Sequence, residues 1–322
     1  MTQKFHTYID GNSVGHAAQH GGGKTRKLYA GSQETTAIFG MLKSMHKILR
    51  GRTHAPPVVL WDGRSWRYSF FPDYKSNRTD TLEKQKDRER YRAQRRAMFV
   101  GLKLLGVKQL VADNMEADDL AAILTRRAVA RGDQVRLITG DQDWLQLVQP
   151  GVVWIEHRGG KDARQCNAVG FKSFTGYDTP RAFVDAKSLQ GDTGDFVKPK
   201  TGIGKKGAVD LLSVFPSIKE FLATPLDEAK DRYFLQIGKN MPKAMVTLHT
   251  DKEVQGRVEW AAKLMDLSHP EIPAPVGLKA THEPLDREKF EKFCGKLAFT
   301  SLLRDMDNFL KPFISLDKGD NL

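Results

Sequence analysis

Cysteine is nearly missing from this chain: Cys166 and Cys294 are the two present in 322 residues. They cannot make a CxxC metal or redox motif, and no disulfide framework can carry the fold. The setting expected is reducing and intracellular, and the location cytoplasmic. No unbroken apolar run approaches the ~18 residues that a membrane helix needs, so no membrane partner is expected. Residues 1–6 (MTQKFH) lack the basic and apolar regions of a signal peptide. Internal repeats and long low-complexity tracts are absent, and apolar residues recur in periodic blocks, which excludes disorder for most of the chain. What is present is ordinary globular stock: 40% hydrophobic, 28% charged, mean hydropathy −0.48. That is enough chain for one large domain or two ordinary ones. Lysine and arginine number 51 against 39 acidic residues, a formal net charge of +12. An excess of that size points to a polyanionic partner, of which nucleic acid is the commonest.

Strand and helix signals alternate through the first half. Phe5–Ile9 reads as a short strand. Ile38, Leu42, Met45 and Leu49 mark one face of a helix over about 33–50. Pro56-Pro57 interrupts, and the apolar run Val58–Trp61 ends at Asp62-Gly63. An amphipathic segment extends to about Leu105. Val107–Ala112 is a strand, residues 117–130 a helix stopped by Gly132, and Val135–Thr139 and Val152–Ile155 two further strands. This alternation predicts an α/β fold with a mostly parallel sheet. From about residue 180 the strand signal disappears and helices with Pro- and Gly-containing connections take over, so a subdomain boundary is expected there.

The acidic residues fall at particular places in this scheme. Asp10 follows the first strand and Asp62 the second. Asp113, Glu116, Asp118 and Asp119 follow the third, and Asp141 and Asp143 the fourth. The carboxyl ends of parallel strands share one edge of an open sheet, and ligands bind at that edge. Glu116 and Asp119, three apart at a helix start, share a face. Any one of these residues is as easily a helix cap, stabilising by ~1 kcal/mol. Together they would repel unless cations neutralise them. An all-oxygen ligand set suits Mg²⁺ or Mn²⁺ rather than zinc. Beside a basic surface, it points to metal-assisted phosphodiester chemistry.

The residues Tyr8-Ile9-Asp10-Gly11-Asn12-Ser13, Trp61-Asp62-Gly63, Tyr74-Lys75-Ser76-Asn77-Arg78 and Glu116-Ala117-Asp118-Asp119 stand in an order that resembles the flap endonuclease family of 5′-nucleases. So do Gly140-Asp141-Gln142-Asp143, Gly191-Asp192-Thr193-Gly194-Asp195 and Thr201-Gly202-Ile203-Gly204-Lys205-Lys206. The likeness, over about residues 5 to 305, is to the 5′–3′ exonuclease domain of bacterial DNA polymerase I and its free-standing bacteriophage relatives. It implies a PIN-like α/β nuclease core over 1–180, with a helical arch at about 75–100. A helical DNA-binding subdomain would occupy 181–322, with a helix–three-turn–helix at about 190–215. It also implies two or more Mg²⁺ (or Mn²⁺) ions. Asp10, Asp62, Glu116, Asp118 and Asp119 would serve the first, and Asp141, Asp143, Asp192 and Asp195 the second. Asp192 and Asp195 come from the resemblance, since their spacing alone reads as a turn. Phe196-Val197-Lys198-Pro199 replaces the family's usual Asn-Ile-Pro after the second Asp of that element, which bears on the loop's geometry.

Residues 75–96 hold nine Lys/Arg and four Asp/Glu. From charge alone this is a solvated helix face. By resemblance it is the arch, with Lys75 and Arg78 at its base contacting the scissile phosphate as cationic clamps. Tyr74 would stack on the neighbouring base. Gly202–Gly207 satisfies GxGxxG, but no strand precedes it, so a dinucleotide site fails on context. The alternative is a turn between helices whose N–H groups face a phosphate, with Lys198, Lys200, Lys205 and Lys206 around it. The resemblance makes Lys200, Gly202, Gly204, Lys205 and Lys206 a grip on the duplex backbone, with K⁺ held at the turn. Gly22-Gly23-Lys24-Thr25 imitates the end of a Walker A loop, but Ala18 stands where its first Gly belongs. His16 and His20 imitate a zinc pair, but Ala17 stands where HExxH has Glu, leaving a loop or packing role. Trp144, Leu145, Leu147 and Val148 read as core, and Leu316–Leu322 as a frayed tail.

The expected activity is a structure-specific 5′-nuclease. It would hydrolyse DNA with a free 5′ end, a flap, a nick or a single-strand/duplex junction, with an RNA primer in an RNA–DNA hybrid as a further partner. With no polymerase segment in the sequence, it would act as a separate polypeptide. The rivals are a PIN-type ribonuclease, which would prefer single-stranded RNA, and a non-catalytic DNA-junction binder, which would hold flaps without cutting.

Overall fold

A computed structural model describes residues 3–20, 27–51, 55–79, 81–158, 163–281 and 283–317. The Walker-like residues Gly22–Thr25 and the end of the tail lie outside them. Among the described residues, seven strands make one sheet. In chain order they are β1 (Phe5–Asp10), β2 (Pro57–Trp61), β3 (Lys108–Val111), β4 (Gln134–Thr139), β5 (Val152–Glu156), β6 (Gln165–Cys166) and β7 (Lys279–Thr281). Their order across the sheet is β6-β5-β4-β1-β2-β3-β7. β5, β4, β1, β2 and β3 run parallel, and β6 and β7 close the two edges antiparallel. The central strands are nearly continuous apolar runs because helices cover both faces. The register pairs Tyr8 with Leu137 and with Val58, so β1, β2 and β4 end level.

One face of the sheet is covered by α1 (Gly11–His20), α2 (Thr36–Gly51) and α3 (Leu82–Leu104). Here Ile9, Val59, Trp61 and Ile138 meet Met41, Met45, Met98 and Leu102. The other face carries α4 (Ala117–Val129), which buries Leu120, Ala121 and Ala128 against Leu60, Leu137 and Trp154. That second core runs on without a break into α5 (Pro180–Gln190), α6 (Lys205–Val214) and α7 (Lys252–Met265), through Leu189, Leu211, Phe215 and Val258.

The boundary expected at about 180 is therefore corrected. β7 returns to pair with β3, and α8 (Arg287–Lys296) and α9 (Met306–Asp317) pack Phe290, Phe309 and Phe313 into the core around α2. Residues 181–267 extend one face of the core, and residues 279–317 belong to the core itself. A three-residue strand of Lys-Ala-Thr has too little apolar content to be read without its partner strand.

The arch expectation is halved in the same way. A 3₁₀ turn at Ser76–Thr79 precedes α3. The second half of α3 is core, with Gln94, Met98, Gly101 and Leu102 buried. Its part up to Arg95 lines open space, tied down by Arg90 to Glu34 (2.7 and 2.8 Å) and by Gln19 to Asp87 (2.8 Å).

Candidate active site

Asp10, Asp62 and Asp141 stand at or just beyond the ends of β1, β2 and β4, so the sheet brings them together. The cap reading holds for one oxygen of each. Asp10 Oδ1 accepts from Ser13 N in the first turn of α1 (2.8 Å), and its Oδ2 accepts from Thr139 Oγ1 (2.8 Å). Asp62 Oδ1 accepts from Ala117 N, the first residue of α4 (2.8 Å). Asp141 Oδ1 accepts from Asp143 N (2.8 Å). Asp118 Oδ1 accepts from the indole of buried Trp144 (2.6 Å), so the core reading of Trp144 holds and gains a second task. Among the described residues, the second oxygen of Asp62, Asp118 and Asp141 meets no protein donor. Gly63 is required where it stands, because a Cβ there would lie 1.8 Å from the Ala112 carbonyl oxygen.

Among the described residues no cation is hydrogen-bonded to these four carboxylates, and their acidities follow. Burial pushes Asp10 up to about 6, with the Asp62 charge adding to it. Asp62 is raised by burial and by Glu116, with Lys75 acting against both. Asp118 is raised well above the carboxylate range by burial and by Asp141. Asp141 opens onto the cavity, yet the protein packed around it and the Asp143 carboxylate push it up to about 7.

The other five acidic residues are already paired. Asp119 is fully buried, with both oxygens on the Arg67 guanidinium (2.9 and 2.9 Å) and Oδ2 also accepting from Glu116 N (3.1 Å). Arg67 is itself buried and donates to Leu264 O of α7. Glu116 bonds Lys75 and, at 3.3 Å, Arg67. Its burial works to raise its pKa, but Lys75 and Arg67 outweigh that and hold it low. Asp195 takes Arg78 directly and has Lys75 at 3.7 Å. The two cations overcome the opposing effect of burial and hold it low as well. Asp143 and Asp192 share Lys187, which bonds the first and lies 3.4 Å from the second. Asp113 lies apart from all of these, exposed and paired with Lys279 (2.9 Å).

Two expectations change here. Tyr74 cannot stack on a base, because its ring is buried (4% exposed) beneath Tyr68 among Val197, Leu264 and Met265. Its hydroxyl instead reaches Asp195 (2.8 Å) and Glu116 (3.0 Å), donating to one at a time. Asp119, expected beside a metal, has no oxygen left open.

The loop carrying Asp192 and Asp195 closes on itself, with Asp192 and Val197 exchanging backbone hydrogen bonds of 2.8 and 2.9 Å. Gly191, at φ +79°, brings its backbone so near the Val197 carbonyl that a Cβ would lie 2.3 Å from that oxygen. Phe196 sits at φ +63°. That left-handed region favours Gly and Asn, which accounts for the family's Asn and makes Phe the costlier choice. Lys198 lies 4.4 Å over the Phe196 ring. Lys75 is left-handed too, at φ +59°, and its N–H is held by Asp195 O (3.1 Å).

Two adjoining cavities meet at this edge. One of about 380 Å³ is lined by Asp10, Asp62, Asp118 and Asp141. One of about 660 Å³ lies beneath α3, lined by Lys84, Arg88, Arg92 and Arg95, with Lys75 and Arg78 common to both. Beyond Asp192 the chain turns through Gly202 (φ +74°) into α6, whose N-terminal Gly204, Lys205 and Lys206 are exposed along with Lys200. His16, set on α1, stacks on Tyr91 at 3.6 Å, a packing role. Arg67 and Lys187 escaped the sequence reading, because neither lies in a motif and their carboxylate partners are far along the chain.

The all-oxygen donor set, short of protein cations, fits divalent ions. As placed, no three His, Cys, Asp or Glu side chains among the described residues converge on one point.

Comparison with known proteins gives the setting. The chain is 30% identical over 283 residues to DNA polymerase I of Bacillus caldotenax, covering 85% of this chain and 29% of that protein. It is 28% identical over 275 residues to the thermostable polymerase I of Thermus thermophilus, covering 84% and 29%. It thus spans under a third of these relatives. The T5 5′-exonuclease shares the fold at a TM-score of 0.60 and 20% identity, over 97% of this chain and 99% of that one. The catalytic core of Rad2 shares it at 0.52 and 14%, over 97% and 92%. Residues 6–174 match the 5′–3′ exonuclease N-terminal resolvase-like domain, and the chain belongs to that family.

Proposed function

We propose that the protein is a divalent-metal-dependent 5′-nuclease, a 5′–3′ exonuclease and 5′-flap endonuclease of DNA replication or repair. The observation that carries this reading is a group of four carboxylates, Asp10, Asp62, Asp118 and Asp141, to which no cation among the described residues is hydrogen-bonded, facing a cavity continuous with a basic one. Relatives lend support: the T5 5′-exonuclease is described with divalent metal ions, and the Rad2 core in complex with DNA.

Asp10, Asp62, Asp118 and Asp141 would hold Mg²⁺ or Mn²⁺ most directly. Glu116, Asp143, Asp192 and Asp195 would join as Lys75 and Lys187 give way. Bound divalent ions supply Lewis acidity at the phosphoryl group and make water a better nucleophile at neutral pH. The chain's own residues do the rest. Lys75 and Arg78, held at the join of the two cavities, meet the charge that develops on the phosphoryl oxygens. Tyr74 keeps Glu116 and Asp195 apart and oriented. Arg67 and Asp119 anchor the start of α4, so that Glu116 and Asp118 present themselves to the cavity. Lys200, Lys205, Lys206 and the open N–H groups at Gly202 and Gly204 grip the duplex backbone without reading bases, with K⁺ at that turn. Residues 181–267 would form the duplex-binding part.

One cleavage assay tests this. A 5′-labelled flap, a nicked duplex, single-stranded DNA and single-stranded RNA are incubated with and without Mg²⁺. EDTA-sensitive cutting at the flap junction is expected. Preferred cutting of RNA would move the function to a PIN-type ribonuclease, and tight flap binding without cutting would make the protein a junction binder.

A further inference from the structure

A third cavity, of about 720 Å³, is lined by α1, α2 and the residues just after β5. It shares Ser13, His16 and Arg158 with the carboxylate cavity, which in turn shares Lys75 and Arg78 with the basic cavity beneath α3. Three spaces thus adjoin at this edge, the carboxylate cavity sharing several residues with each basic one and His16 bordering all three. The floor of the third is built where α1 and α2 pack closely: a Cβ on Gly40 would lie 2.8 Å from the Ala18 Cβ. Lys43 and Lys47, four apart on α2, stand exposed on one face of that helix and line the cavity with Arg158. Among the described residues neither lysine has a carboxylate partner, unlike Arg90 and Lys187, which are both paired.

A phosphodiester chain has one negative charge per nucleotide and follows cations set along a groove. We infer that this third cavity is a binding groove for the single-stranded 5′ tail, holding its backbone phosphates after they have crossed the carboxylates. Lys43, Lys47 and Arg158 are its phosphate contacts. The inference rests on the nuclease reading and adds to it a site for the tail itself. A substrate with no tail cannot reach the groove, so Lys43 and Lys47 act on long flaps alone.

The test compares a nicked duplex with a flap of about 12 nucleotides, within the span one such groove covers. Binding is read by fluorescence anisotropy in EDTA. The variant is Lys43→Ala/Lys47→Ala, at exposed helical positions where alanine is well tolerated. A control, Lys289→Ala/Lys292→Ala on α8, removes the same two charges elsewhere. The Lys43/Lys47 variant is expected to bind the long flap roughly tenfold more weakly. Its slope of log affinity against log salt should fall by about 1.4, at ~0.7 for each single-strand phosphate no longer neutralised. Its affinity for the nicked duplex should match the wild type, and the control should match it on both. Equal weakening on both substrates would make the lysines a general duplex contact and overturn the groove. No weakening on either, by a wild type that favours the flap, would overturn the groove and leave the nuclease reading standing. A wild type that binds neither substrate would overturn both.

Discussion

Asp118 and Asp119 are neighbours in the chain and opposites in the structure. Asp118 faces a cavity, meets among the described residues only an indole N–H, and is pushed well above the ordinary carboxylate range by burial and Asp141. Asp119 faces the protein and is gripped on both oxygens by Arg67. The contrast runs through the whole cluster. Asp10, Asp62, Asp118 and Asp141 have no cation among the described residues hydrogen-bonded to them, whereas Glu116, Asp119, Asp143, Asp192 and Asp195 have one supplied by the chain. Crowded carboxylates are tolerable only when something neutralises them. Here the two solutions lie side by side.

The largest expected effect concerns the open group. Asp141→Asn should lower cleavage of a flap substrate by roughly 10³-fold or more, a loss of several kcal/mol of charge stabilisation. Flap affinity should be nearly unchanged, and circular dichroism should report an intact fold. An unfolded variant would place Asp141 among the structural carboxylates instead.

Next comes the pair that defines the comparison. Asp119→Asn strands the buried Arg67 guanidinium and should cost about 3 kcal/mol in urea denaturation. Asp118→Asn, which removes repulsion and keeps an acceptor for Trp144, should cost nothing in EDTA. Equal costs would erase the distinction. Lys75→Ala probes the boundary between the groups. Its single-turnover rate should drop by about 10²-fold with less effect on binding; weakened binding at an unchanged rate would make Lys75 an affinity contact.

The smallest effect is on stability. Unfolded, Asp10 and Asp141 lose their protons near the ordinary value of 3.8; folded, they keep them to about 6 and 7. Between these values the native state holds more protons than the unfolded state, so stability falls as pH rises through the window. Glu116 and Asp195 act in the other direction, but their contribution is lost only at more acid pH, below their ordinary values of 4.5 and 3.8. His16, which burial pushes down to about 4 from 6.5, acts the other way up to about pH 6.5, so metal-free Tm should decline most clearly between about pH 6.5 and pH 7.5. Mg²⁺ at tenfold over its Kd should restore about 1.4 kcal/mol at the upper end. A Tm that rises with pH in EDTA across that range would contradict the open group.

The parallel strands, the helices after them and the carboxylates at their ends are legible in the chain, because each is a local pattern. Apolar runs of four to six residues, a 3.6-residue period, and Asp or Asp-Gly at a strand end are read without knowing any neighbour. The sheet then places Asp10, Asp62 and Asp141 at one edge by topology alone. The order of motifs was sufficient to recognise the family. What escaped depends on contacts distant in sequence. Tyr74 reads as an aromatic beside a basic pair, yet Leu264 and Met265, far along the chain, cover its ring. β7 is legible only from β3, and the halves of α3 separate only when α2 packs against one of them.

The sequence by itself determined that acidic residues would crowd one sheet edge beneath a basic helix. Only the tertiary structure decided which of them the protein neutralises itself. That choice rests on where Arg67, Lys75, Arg78 and Lys187 end up, and a cation's reach of a few ångströms is set by packing, not by spacing along the chain.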